Sequence, residues 1–243
     1  MLWQKAIGAT AAAENVVTDN LLLYLDAADP SSYSGTGTTW TDLGSEGRDG
    51  TLTNGPVWNS TYFDFDGNND YVELGTIPTN DPLQLNSPSG NGMSLMFALW
   101  IDTGGDGYQR IIAKSDGGLA ANGYDVYTSD PSDNDRILFA SDGNGAFAGS
   151  TSDLVPNTWA ILTFTWNSST GDWEWYVDGV SDNTGNRTYD IPNVETGMRL
   201  ATWYTASGRE LNGRIGFMMV YDKVLSSSEV TQNFNALKDN YGL

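Results

Sequence analysis

The chain has 243 residues, 31 acidic and 11 basic side chains, a formal charge of −20, and neither cysteine nor histidine. This excludes a Ser-His-Asp or Cys-His nucleophilic centre, a thiolate zinc site and a disulfide framework, leaving carboxylates, hydroxyls, backbone and hard cations. Lysines and arginines are scattered singly, so nucleic acid has no basic stripe to bind, and no apolar run reaches the ~20 residues of a membrane span.

Residues 1–17 read as an N-terminal arm ahead of a domain over 18–243. The arm lacks the sustained apolar run of ~7 to 15 residues that a secretory signal needs. Leu2, Trp3 and Ile7 are apolar residues that a solvated tail would not require, and they read as an anchor against a partner. Beyond the arm, Gly, Asn, Asp, Ser and Thr cut the chain into short apolar runs. Residues 21–25, 63–65, 71–74, 94–101, 110–113, 124–127, 136–139, 159–166, 173–177, 198–203 and 214–221 predict strands.

In 94–101, Leu95, Phe97, Leu99 and Ile101 alternate with Met96, Ala98 and Trp100, so both faces of a central strand are apolar. Residues 159–166 and 173–177 flank a loop of turn formers and predict a hairpin. Ser226 with Glu229 three residues later is a capping box, and Val230, Phe234 and Leu237 recur at helical spacing behind it. About a dozen strands and one terminal helix predict an all-β, two-sheet antiparallel sandwich of the jelly-roll kind. Trp40, Trp100, Trp159, Trp166 and Trp175 are expected in its core.

Four stretches resemble one family. Leu21-Leu22-Leu23-Tyr24-Leu25-Asp26 with Thr39 to Leu52 resembles the opening of laminin-G-like, concanavalin A-like domains. Phe65-Asp66-Gly67-Asn68-Asn69-Asp70-Tyr71-Val72 is similar to their Phe-Asp-Gly hairpin, and Trp175-Tyr176-Val177-Asp178-Gly179 to a strand end. The run from Leu211 through Tyr221 to Ser226 and Glu229 is similar to their last strand and capped helix. Leu25-Asp26-Ala27-Ala28-Asp29-Pro30-Ser31-Ser32-Tyr33 further resembles domains of tailed-bacteriophage structural proteins. The resemblance implies the sandwich fold, a place on a virion released by lysis, and other capsid or tail proteins as partners in an oligomeric assembly.

Catalysis of the kind some concanavalin A-like proteins perform needs two carboxyl groups ~5 to 9.5 Å apart. Glu174 and Asp178 share a strand face but stand roughly 13 Å apart at strand rise, and no histidine is available as a lyase base. A noncatalytic protein is therefore expected, ahead of a glycan hydrolase or lyase.

Asp66, Asn68 and Asp70 copy the first oxygen ligands of a calcium loop, but Tyr71 stands where the loop needs Gly, and a β-turn is the alternative. No cofactor is required, and calcium remains open there and in the acidic loop 130–135. A glycan site needs flat aromatic faces beside hydrogen-bonding side chains. Trp203 and Tyr204, with Tyr108, Tyr124, Tyr127 and Asp125, are the candidates for one. The leading expectation is a virion structural protein, for decoration or fibre-like, held on a capsid or tail by its arm. The alternative is a carbohydrate-binding adhesin module recognising host surface glycans.

Overall fold

The structure, a computed structural model, describes residues 15–85, 92–103, 107–117, 120–129, 136–141, 146–188, 191–206 and 209–243. Strands numbered in chain order form two eight-stranded antiparallel sheets. Sheet one runs β14 (Val180–Asn186), β13 (Asp172–Val177), β12 (Trp159–Asn167), β7 (Gly92–Ile101), β16 (Asn212–Tyr221), β5 (Phe63–Asp66) and β4 (Val57–Trp58). Its eighth strand, β1 (Leu21–Asp26), pairs with the far half of β16. Sheet two runs β11 (Ala146–Gly149), β10 (Ile137–Ser141), β9 (Gly123–Thr128), β8 (Arg110–Ser115), β15 (Thr196–Leu200), β6 (Tyr71–Ile77), β3 (Gly50–Thr53) and β2 (Thr39–Trp40). The predicted two-sheet sandwich with one short C-terminal helix is the observed fold.

Period-two alternation places the core between the sheets. Leu95, Phe97 and Leu99 of β7 face inward with Leu162 and Phe164 of β12, and meet Val72, Ile112, Tyr124, Val126 and Phe139 of sheet two. Burying each such side chain contributes about 1.5–3 kcal/mol. The opposite residues of the same strands, Met96, Ala98 and Ile161, join Phe217, Met219 and Tyr221 in a second apolar cluster on the outer face of sheet one. Helix α1 (Ser227–Leu237) covers that cluster with Val230 and Leu237, so β7 is apolar on both faces because both are packed.

The capping box that starts α1 forms as predicted. The Glu229 amide donates to Ser226 Oγ at 3.3 Å and the Ser226 amide to Glu229 Oε2 at 2.9 Å. The chain is already held to this helix from Asn15 onward. Val17 N donates to the buried Asn233 Oδ1 at 2.7 Å, Tyr221 Oη to the Val17 carbonyl at 2.9 Å, and Gln232 Nε2 to the Asn15 carbonyl at 2.7 Å. Leu2, Trp3 and Ile7 lie outside the described residues.

Three expectations change. The run 198–203 is a strand only to Leu200, because Ala201 takes φ of 66° and turns the chain out of the sheet. Strands β2, β3, β4, β11 and β14, at or next to the sheet edges, carry at most three apolar residues each and leave little pattern to read. Trp40, Trp166 and Trp175 are buried, but Trp100 and Trp159 are half-buried on the outer face of sheet one. There they pair across strands, with Arg214 over the Trp100 ring at 4.4 Å and Trp159 against Tyr241 at 4.8 Å. The inward side of β7 was already filled by its Leu and Phe residues, so Trp100 had to take the other face. Among the described residues, no helix is long and apolar enough to cross a membrane.

Candidate functional site

The two outer faces of the sandwich differ. Sheet one is covered by α1, whereas the apolar cluster on the outer face of sheet two is limited to Ala120, Tyr127 and Ala140 with Leu138. Alternation along β9 sends Tyr124 and Val126 into the core and Asp125 and Tyr127 outward. Asp125 pairs across strands with Ala113 on one side and Ala140 on the other, two small side chains that leave room beside its carboxylate.

Arg110, the cross-strand partner of Tyr127, fills that room. Its Nε donates to Asp125 Oδ2 at 3.3 Å, its Nη1 to the Tyr108 carbonyl at 2.7 Å, and its guanidinium lies 4.2 Å from the centroid of Tyr127. Ser115 Oγ donates to the other carboxylate oxygen at 2.8 Å. Burial pushes the Asp125 carboxyl up and the Arg110 guanidinium down, and the attraction between them opposes both shifts. The pair is thus a buried post on which the neighbouring aromatic rings rest.

Two loops close around the post. Ala201 N donates to the Ile111 carbonyl at 3.2 Å and Leu211 N to the Ala201 carbonyl at 2.9 Å, so the excursion carrying Trp203 is pinned at both ends. Arg110 N donates to the Arg209 carbonyl at 2.9 Å, and Asn212 N to Gln109 Oε1 at 2.6 Å, tying that excursion to residues 108–110. Trp203 and Tyr204 meet edge to face at 4.7 Å, and Arg199, ion-paired to Glu73 at 2.7 Å, donates to the Tyr204 carbonyl at 2.6 Å.

Arg209 lies over the Tyr108 ring at 4.8 Å and 6.0 Å from the centroid of Trp203, and Arg110 is 5.5 Å from that same ring. Tyr108 and Tyr127 approach to 6.4 Å. Strain gathers here: Tyr108, Ala201, Ala206 and Arg209 all have φ between 55° and 66°. A non-glycine residue in that region costs of order 1–3 kcal/mol, and such costs cluster at functional sites. The shielded indole N–H of Trp203 also has no hydrogen-bond partner among the described residues.

The fold therefore brings together Trp203, Tyr108 and Tyr127, which lie up to 95 positions apart in sequence. Tyr204 backs Trp203. Three candidates are corrected. Tyr127 has the outward side of β9 but is only 4% exposed under Arg110, so it supports the corner without facing a ligand. Tyr124 is fully buried, stacked against Phe139 at 6.2 Å with its hydroxyl on the Leu83 carbonyl at 3.1 Å, because strand alternation sends it to the core side. Asp125 has the outward side of β9 but is 0% exposed under Arg110, so it orients the guanidinium and cannot touch a ligand. Sequence reading missed Arg110 and Arg209, which carry no local motif and acquire meaning only from the rings placed beside them.

Asp66, Asn68 and Asp70 form the self-capped turn. Asn68 N donates to Asp66 Oδ1 at 2.9 Å, Asp66 N to Asp70 Oδ2 at 3.4 Å, and Gly67 takes φ of 72°. Among the described residues, no group of three or more acidic side chains is placed to hold a metal ion, and the loop 130–135 lies outside them. Glu174 accepts from Tyr176 Oη at 2.7 Å and from Ser181, and Asp178 accepts from the Ile161 amide at 2.9 Å.

No curated protein matches the sequence. Among solved structures, a Trypanosoma rangeli sialidase in complex with 2,3-difluorosialic acid, as a covalent intermediate, superposes with a TM-score of 0.65 at 14% identity, over 94% of this chain and 35% of that one. The same organism's sialidase in complex with sialic acid gives 0.64 at 14% identity, over 96% and 37%. The botulinum neurotoxin serotype D binding domain gives 0.61 at 15%, over 90% and 52%. The chain thus spans about a third of the sialidase chains and half of the toxin domain, and identities this low show the fold.

These neighbours overturn the expectation of a noncatalytic protein. Glycosidases are among the chains that contain this fold, and the carboxylate spacing argument considered one strand at a time, whereas tertiary structure can pair acids from different strands and loops. The sequence also matches the family Laminin_G_3, described as the concanavalin A-like lectin/glucanases superfamily, over residues 66–231. That span takes in the strands of sheet two from β6 to β15, both loops at the Arg110 post and the capped start of the helix, and the chain belongs to this family.

Proposed function

We propose that the chain is a carbohydrate-binding domain whose site is the corner formed by Trp203, Tyr108 and Arg209, backed by the buried Tyr127 and Arg110. The observation that carries this reading is the convergence of Trp203 and Tyr108 from distant loops on the outer face of sheet two, over a buried support of Tyr127 and Arg110, with strained backbone under Tyr108, Ala201, Ala206 and Arg209. Aromatic rings stack on the apolar faces of sugars, and guanidinium N–H groups bond their oxygens. The family match and the likeness to glycosidase chains and to a neurotoxin's binding domain support it.

A glycan array run with and without calcium tests the reading. Binding that Trp203→Ala abolishes in a folded protein supports it, and a flat response overturns it. The sialidase neighbours favour a second reading, glycan cleavage, which release of a fluorogenic aglycone by the same protein would reveal. As the setting for either activity we propose the surface of a phage particle, supported by the resemblance of residues 25–33 to tailed-phage structural proteins. Its copy number in purified virions is the test.

A further inference from the structure

Arg209 differs in its partners from the four arginines that are ion-paired. The chain has 31 acidic side chains to 11 basic ones. Arg48 pairs with Asp81, Arg110 with Asp125, Arg199 with Glu73 and Arg214 with Asp64. Arg209 is exposed, and among the described residues no carboxylate lies within ion-pair distance of it. The one hydrogen bond its guanidinium makes there, Nη1 to the Gly107 carbonyl, is long at 3.3 Å. Two guanidiniums, those of Arg110 and Arg209, thus share the Trp203 ring with one buried carboxylate between them, and Arg209 weakens the proton affinity of Arg110 by its charge.

The backbone points the same way. Both members of the Arg209–Tyr108 stack are left-handed, at φ of 63° and 64°. Glycine takes that conformation without penalty, so placing an arginine and a tyrosine there incurs a cost that only their side chains can justify. The stack presses the guanidinium against a ring, which pre-sets the planar fork that binds a carboxylate through two parallel bonds.

Resting on the carbohydrate-binding reading, we infer that this site takes an acidic glycan, one whose sugar carries a carboxylate, with Arg209 binding the carboxylate and Trp203 the sugar face. Arg110, buried and paired with Asp125 and the Tyr108 carbonyl, holds the rings and leaves the exposed Arg209 as the group that selects charge.

The experiment compares matched probes, sialyllactose and trigalacturonic acid, each as free acid and as methyl ester, with the wild type, Arg209→Gln, Arg209→Lys and Trp203→Ala. A free acid should bind at least about tenfold more tightly than its ester, as a charge-assisted bidentate contact requires. Arg209→Gln should erase that preference while weak ester binding and the melting profile persist, and Arg209→Lys should restore it only in part.

Equal binding of acid and ester, or a preference that survives Arg209→Gln, overturns the inference. If such binding is still lost in Trp203→Ala, the carbohydrate reading stands without it. Sulfated disaccharides that bind where the carboxylates do not overturn the inference in favour of another anion. No binding by any probe, acid, ester or neutral, removes both readings.

Discussion

Arg110 and Asp125 meet at 3.3 Å on the outer face of sheet two with both side chains out of water, and the aromatic corner stands on this ion pair. Removing one member leaves the other charged and unpaired. Asp125→Ala should therefore cost about 3–5 kcal/mol in urea unfolding, whereas the double change Arg110→Met with Asp125→Leu should cost far less. Equal losses in the two proteins would mean that the site is held by packing alone.

Lys114 gives a pH signature. Its ammonium is fully buried, donating to Gln84 Oε1 and to the Val194 carbonyl at 2.9 Å, and burial lowers its pKa to about 8 despite the pull of Asp116. The unfolded chain, with an ordinary lysine near ~10.5, binds more protons than the folded one from pH ~8 upward, so stability rises with pH across that window. Between pH 7 and 9 the gain should be about 1 kcal/mol, and Lys114→Met should abolish it. Above that range the buried hydroxyls of Tyr24, Tyr124 and Tyr221, all pushed up by burial, act in the opposite direction. A stability curve that falls between pH 7 and 9 would contradict the assignment.

Arg209→Gly should raise stability by up to about 1 kcal/mol, because glycine accepts φ of 63° freely, and should lose selective binding of free acids. Differential scanning calorimetry with the acid and ester probes measures both effects. Loss of stability on this change would mean that the stack on Tyr108 is structural.

Asn233 is buried between the Val17 amide and the Tyr221 hydroxyl. Asn233→Leu should orphan the Val17 amide at a cost of about 1–3 kcal/mol and speed hydrogen exchange there, while the amides of β7 and β12 remain protected. Unchanged exchange at Val17 would show that α1 does not hold this end of the chain.

Much of the fold was legible because its signals are local. The alternation of Leu95, Phe97 and Leu99 against Met96 and Ala98 needs no partner to be read, and Ser226 with Glu229 marks a helix start within four residues. The site was half legible. Trp203, Tyr108 and Tyr127 stood out as large rings near turn residues, but Tyr124 and Tyr127 look alike in sequence. Alternation puts them on opposite faces of β9, and only the packing of the two sheets decides that Tyr124 enters the core while Tyr127 takes the outer face, buried under Arg110. The edge strands β4 and β14 were not legible, since their few apolar residues form no alternation.

The sequence by itself determined the class of this protein: a histidine-free, cysteine-free, acidic β-sandwich with one capped helix. Those properties follow from composition and from contacts a few residues long. Only the tertiary structure decided that Arg110 would bury against Asp125, that Arg209 would have no carboxylate within ion-pair distance among the described residues, and that both would share the ring of Trp203. The energy of such an arrangement depends on distances that include groups as far apart in the chain as Arg110 and Trp203 or Tyr108 and Arg209, and no local pattern encodes them.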